Sequence, residues 1–187
     1  MKAALLIIDM LNDYLDPNGA NYSPNGRKII PNIATLKKYF VDNECPVIYV
    51  NTSHINAGDP ETAKWGVQAV RGSWGAEVVP ELKMTLNDIE VFKRTYDGFY
   101  NTELEITLRS LDIDTVVVCG IHTHVCVLCT ALGAFYRGYN VYALEDCMTT
   151  NRIENHESRL RFYNTHIGTL TTLDEFITHD FLGKESH

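Results

Sequence analysis

Short apolar runs that alternate with stretches of helical spacing constrain this chain more than any other feature of its sequence. The runs are Lys2–Asp9, Pro46–Asn51, Ile89–Lys93, Thr115–Cys119, Asn140–Leu144 and Ile167–Leu170. Ala3-Ala4-Leu5-Leu6-Ile7-Ile8 and Thr115-Val116-Val117-Val118-Cys119 show no apolar/polar alternation. A strand of that pattern is buried on both faces, as in a parallel sheet covered by helices on both sides. Helical spacing marks Arg27–Asn43, Thr102–Leu111, Val125–Arg137, Arg152–Thr165 and Thr172–His179. Capping boxes Thr102…Glu105 and Thr172…Glu175 open two of these, and Asn151 is expected to cap a third. His54–Trp74 has no period and reads as a loop, and Gly75–Leu82 as a short turn cut by Pro80. The alternation predicts βαβ units and an α/β fold. The length of 187 residues fits a single domain, 1–187.

A net charge of −8 argues against a nucleic-acid or anionic-membrane partner. No apolar stretch approaches a membrane span. The N-terminal apolar run ends in Asp9 and reads as a strand, not as a signal peptide. Five cysteines, an odd number, suit a reducing interior, so a cytoplasmic location is expected.

In open parallel sheets, ligands bind beyond the carboxyl ends of the strands. Three chemically useful residues fall there: Asp9 after the first run, Lys93 after the third, and Cys126 after the fourth. Cys126 follows the turn Ile121-His122-Thr123-His124 and opens a helix, where a thiol is expected to have a depressed pKa. A carboxylate beside it can take the thiol proton and pass it to a leaving amine, and a lysine can stabilise both anions. Singly, each has a plainer reading: a strand-end turn acid, a solvated edge cation, a small core cysteine.

Several stretches carry a family resemblance in the right order: Leu6–Tyr14, Arg71–Glu77, Phe92–Thr102, Cys119–Val127 and Ala134–Tyr139. Through them the chain resembles the isochorismatase-like cysteine hydrolases, which include nicotinamidases and N-carbamoylsarcosine amidases. The resemblance implies a Rossmann-like, three-layer α/β/α fold with a six-stranded parallel sheet. It implies an Asp9–Lys93–Cys126 triad, a cis peptide at Ile121–His122, and oxyanion donors in the backbone N–H groups of His122 and Cys126. It also implies a homo-oligomer, dimer or tetramer, in which a neighbouring subunit completes the site.

Nicotinamidases of this family bind a metal through an Asp and two His. Here Thr52 and Gln68 stand at two of those positions, and His54 is left with no acid partner. No metal and no cofactor is therefore expected. The expected activity is cleavage of a small-molecule C–N amide bond through a thioester, on a carbamoyl or ureido substrate, with release of ammonia. The alternatives are a nicotinamidase, an isochorismatase-type hydrolase, or a small-molecule binding protein on the same fold. A redox role for Cys126-Val127-Leu128-Cys129 is disfavoured, because no proline follows Pro80. The expected pocket walls are Asp13, Tyr14, His54, Trp65, Trp74, Phe99, Tyr100 and His122. Arg71 and Arg94 are candidates for a substrate carboxylate or for surface cations. His122 and His124 are candidates for the pocket or for a subunit contact.

Overall fold

The computed structural model describes residues 1–55 and 58–182. Its centre is a parallel sheet of six strands: β1 (Ala3–Ile8), β2 (Val47–Thr52), β3 (Ile89–Lys93), β4 (Thr115–Ile121), β5 (Asn140–Thr149) and β6 (Thr169–Thr171). The strand order is β3-β2-β1-β4-β5-β6. The chain adds β2 and β3 on one side of β1, then crosses to the other side for β4. That reversal places a topological switch point between β1 and β4.

The unbroken apolar run of β1 is explained by two cores. Ala3, Leu5 and Ile7 pack into one, with Ile33, Leu36 and Phe40 of α2 (Ile30–Asp42) and Phe176 of α7 (Leu173–Thr178). Phe40 and Phe176 stack with ring centroids 6.1 Å apart. Ala4, Leu6 and Ile8 face the other core. There they meet Leu104 and Leu108 of α4 (Leu104–Ser110), Val127, Ala131 and Ala134 of α5 (Cys126–Tyr136), and Tyr163 of α6 (Ile153–His166). Successive strand residues point to opposite faces, so a strand between two helical layers must be apolar throughout. The result is the three-layer α/β/α arrangement. Among the described residues, no helix is long and apolar enough to cross a membrane.

Several boundaries differ from those expected. β4 runs on to Ile121, and β5 continues to Thr149, well past Leu144. The pairing of these strands shifts register between Val118 and Gly120, so the polar Glu145-Asp146 pair lies inside a bulged strand and not at its end. β6 starts two residues later and ends one residue later than the apolar run suggests, at Thr169–Thr171. The Thr172/Glu175 capping box forms in full. The Thr102/Glu105 box does not: Thr102 Oγ1 accepts the Leu104 N–H at 3.2 Å, and α4 starts at Leu104 without a side-chain cap. Asn151 does not cap α6 either. Arg152 occupies that position, and Asn151 accepts from Ser23 Oγ at 2.8 Å. The stretch read as loop holds the short helix α3 (Thr62–Trp65), and a further turn of helix, α1, forms at Asn12–Leu15.

Gly120 is required by the central pairing. Its φ is +113°, and a Cβ there would lie 2.1 Å from the carbonyl oxygen of Ile8. Only glycine lets the end of β4 come this close to β1.

Candidate active site

The carboxyl ends of β1, β3 and β4 bring three side chains together. Asp9 follows β1 with φ +55°, a left-handed turn that an aspartate tolerates better than most residues. Lys93 ends β3, two strands away, so its side chain must cross the end of β2 to reach Asp9, a span of about 10 Å between strand axes. The four-carbon stem allows this. Lys93 Nζ donates to Asp9 Oδ2 at 2.8 Å, to Thr52 Oγ1 at 2.6 Å and to Cys126 Sγ at 3.4 Å. An ammonium has three donors, and here three acceptors use them. Thr52, on the intervening strand, also gives its backbone N–H to Asp9 Oδ1 at 2.7 Å.

Lys93 is 0% and Asp9 2% exposed. Burial works against charge on Lys93, but the Asp9 carboxylate and the Cys126 sulfur outweigh it and hold the ammonium well above the usual lysine range. Cys126 behaves otherwise than expected for a thiol opening a helix. Burial pushes it well above the ordinary thiol value; Lys93 pulls it back, and Asp9 and Glu61 oppose that pull. Desolvation is the largest of these influences, so burial and not the helix start sets the direction of the shift. The peptide bond Ile121–His122 is cis. As the first residue of α5, Cys126 has a backbone N–H without an intrahelical acceptor.

A pocket of about 180 Å³ opens onto Cys126 and Asp9. It is of a size for a small molecule. Tyr14, Trp65 and His122 line it as expected. The other expected wall residues lie elsewhere. Asp13 accepts the backbone N–H groups of Ala69 at 2.7 Å and Ala20 at 3.1 Å, and so ties two loops together. Phe99 is buried against Tyr139, with centroids 6.1 Å apart. Trp74 and Tyr100 are exposed outside the pocket. His54 is fully buried behind the wall.

Residues that the sequence does not point to as pocket walls also line it, among them Glu61, Gln68, Tyr96, Thr150, Asn151 and Arg152. Arg152 was missed because β5 was ended too early; with its true end at Thr149, the strand-end rule selects it. The arginines considered from sequence are engaged elsewhere. Arg71 Nε donates to Ser53 Oγ at 3.2 Å, and its guanidinium lies over the Phe92 ring. Arg94 Nε donates to the buried Asp59 carboxylate at 2.6 Å.

His122 and His124 both line the pocket, with ring centroids 6.2 Å apart. Burial, with a smaller contribution from His124, lowers the His122 pKa to about 4. Burial lowers that of His124 too, with Arg152 and Arg159 adding to the effect. Both are neutral imidazoles at pH 7.

The expectation that His54 lacks an acid partner is overturned. Its Nε2 lies 3.7 Å from Glu61 Oε2. The set still does not fit a divalent metal of the nicotinamidase kind. Thr52 Oγ1 is taken by the Lys93 ammonium, Gln68 offers only a neutral amide, and one imidazole with one carboxylate falls short of the three protein ligands such a site uses. Among the described residues, no group of three or more His, Cys, Asp or Glu side chains could hold an ion.

Residues 3–175 match the isochorismatase domain model. The chain superposes on an isochorismatase-like hydrolase from Alkaliphilus metalliredigens with a TM-score of 0.91 at 31% identity, covering 96% of this chain and 99% of that one. It superposes on N-carbamoylsarcosine amidase from Thermoplasma acidophilum with a TM-score of 0.85 at 33% identity, covering 93% and 98%. A ureidoacrylate amidohydrolase from Caulobacter segnis is 32% identical over 76% of this chain and 70% of its own length. The chain belongs to the isochorismatase family and is a hydrolase of that family.

Proposed function

We propose that this protein is a cysteine-dependent amidohydrolase that cleaves a C–N bond of a small ureido or carbamoyl acid and releases ammonia. The observation that carries this reading is the meeting of Asp9, Lys93 and Cys126 at one pocket, with Lys93 Nζ 2.8 Å from Asp9 and 3.4 Å from the sulfur. The names of the carbamoylsarcosine and ureidoacrylate relatives support the substrate class.

Asp9 takes the Cys126 proton as Sγ attacks the carbonyl carbon. The backbone N–H groups of His122 and Cys126 receive the negative oxygen. As the C–N bond breaks, the proton on Asp9 passes to nitrogen, and ammonia leaves the acyl group on Cys126 as a thioester that, for a ureido substrate, is a thiocarbamate. Asp9 then deprotonates a water that attacks this carbonyl, the departing sulfur recovers the proton, and a carbamate is released. Lys93 stays charged throughout and fixes the Asp9 carboxylate. Arg152, the arginine in the pocket wall, takes the substrate carboxylate.

The 187 residues form one domain in this reading. All five cysteines are free thiols, which supports a reducing compartment, the cytoplasm. Trp65 in the pocket wall is half exposed, and Ile55 and Val67 nearby in sequence are exposed too, which supports a homo-oligomer in which a second copy covers this side. Ammonia release from a panel of ureido acids tests the proposal. Wild type is expected to turn over at least one of them, and Cys126→Ala none. Equal background rates for both proteins would leave a binding protein on this fold.

A further inference from the structure

The pocket holds a second set of polar atoms that the reaction steps leave unused. Glu61 is 4% and Gln68 3% exposed, and both line the cavity. Glu61 Oε1 and Gln68 Oε1 are buried acceptors without a hydrogen-bond partner. Behind them, His54 Nδ1 lies 2.8 Å from the backbone carbonyl of Gln68. A carbonyl only accepts, so Nδ1 carries the hydrogen. The other ring nitrogen, Nε2, lies 3.7 Å from Glu61 Oε2, too far for a hydrogen bond, and is itself without a partner; His54 backs the carboxylate by charge when its ring is protonated. Trp65 closes the same wall and donates its indole N–H to Tyr96 Oη at 2.9 Å.

A buried acceptor left without a donor costs about 1–3 kcal/mol, and more when it is charged. Two such oxygens on one wall of a cavity mark a place shaped for donors. A carboxylate and an amide side chain on one wall offer acceptors to more than one N–H group, as a ureido group carries. A simple primary amide with methylene in place of the second nitrogen offers one fewer.

We propose that Glu61 and Gln68 form a specificity subsite that reads the N–H donors of a ureido substrate, with His54 positioning Glu61. The inference rests on the amidohydrolase reading and adds to it the discrimination between a ureido acid and the corresponding simple amide. A site that hydrogen-bonds an N–H penalises the analogue lacking it, because its own buried acceptors are left unpaired.

N-Carbamoylglycine and succinamate test this. Each carries a carboxylate and a terminal carboxamide, and they differ by NH against CH2. Wild type is expected to favour N-carbamoylglycine by roughly a hundredfold in kcat/KM, and Glu61→Gln to narrow that ratio about tenfold, mainly through KM. Calorimetric binding of both compounds to Cys126→Ser, with and without Glu61→Gln, reads the subsite without chemistry. If binding discriminates but no ammonia is released, the hydrolase reading fails and the subsite stands. If discrimination is unchanged by Glu61→Gln, or neither compound binds, the subsite is overturned. Stoichiometric zinc in wild type that is lost in Glu61→Gln would overturn it as well. Gln68→Met, which removes an acceptor with little change of shape, carries the test should Glu61→Gln not fold.

Discussion

The Lys93 ammonium and the Asp9 carboxylate meet at 2.8 Å, the lysine fully buried and the aspartate only 2% exposed. Breaking a buried pair from one side strands the other charge, at a cost of about 3–5 kcal/mol. Lys93→Met is therefore expected to lose both activity and that much stability in urea denaturation. Adding Asp9→Asn removes the stranded charge and should restore much of the stability but none of the activity. A double variant no more stable than Lys93→Met would show that the buried carboxylate is not the cause.

The Cys126 thiol is raised by burial, so its thiolate fraction is small at neutral pH. Alkylation of Cys126 by iodoacetamide, followed by peptide mapping, should keep accelerating beyond pH 9.0, the ordinary thiol value. At neutral pH it should speed up in Asp9→Asn, because the carboxylate raises the thiol and its loss leaves the Lys93 ammonium to stabilise the thiolate, even as amide turnover is lost with the general base. A plateau well below the ordinary value would mean a preformed thiolate.

His122 imposes its own pH dependence on stability. Its pKa falls from 6.5 in the unfolded chain to about 4 in the folded one, because burial disfavours the imidazolium. Between those values the unfolded state binds more protons. The stabilising contribution is complete above pH 6.5 and is lost as the pH falls toward 4. It amounts to about 3 kcal/mol. Urea midpoints at pH 7 and pH 4 should differ less in His122→Asn than in wild type; an equal difference would rule this histidine out.

Arg152 should act on binding more than on chemistry. Arg152→Gln is expected to raise KM for a carboxylate-bearing substrate about tenfold, in line with loss of one charge-assisted pair, with kcat largely kept. A neutral amide substrate should be indifferent to the change. Equal effects on both would remove Arg152 from carboxylate recognition.

Prolonged chelation with EDTA should leave ammonia release unchanged, since His54, Glu61 and Gln68 make a poor ligand set for zinc. A loss of activity reversed by added zinc would overturn that assignment.

The fold was legible because each strand between two helical layers must be apolar at every position, and β1 and β4 announce this plainly. Asp9, Lys93 and Cys126 were legible because strand ends in a parallel sheet point to one rim. Glu61 was not: it precedes a helix of four residues, Thr62–Trp65, too short to leave a period. Arg152 was hidden by Glu145 and Asp146, which look like the end of a strand. Asp146 instead accepts the Leu173 N–H at 2.9 Å and ties β5 to α7. The thiol's protonation was misjudged because sequence shows the helix start but not the depth of burial.

The register shift between β4 and β5 has a mechanical consequence. By bulging instead of stopping, β5 carries its backbone to the rim, so Thr150–Arg152 hang from a sheet strand. The opposing jaw, Glu61–Gln68, hangs on a connecting segment pinned by Asp13 and by the Arg94–Asp59 pair. A ligand thus meets two walls fixed by different means, one by the sheet and one by side-chain ties to a connecting segment, with the nucleophile between them.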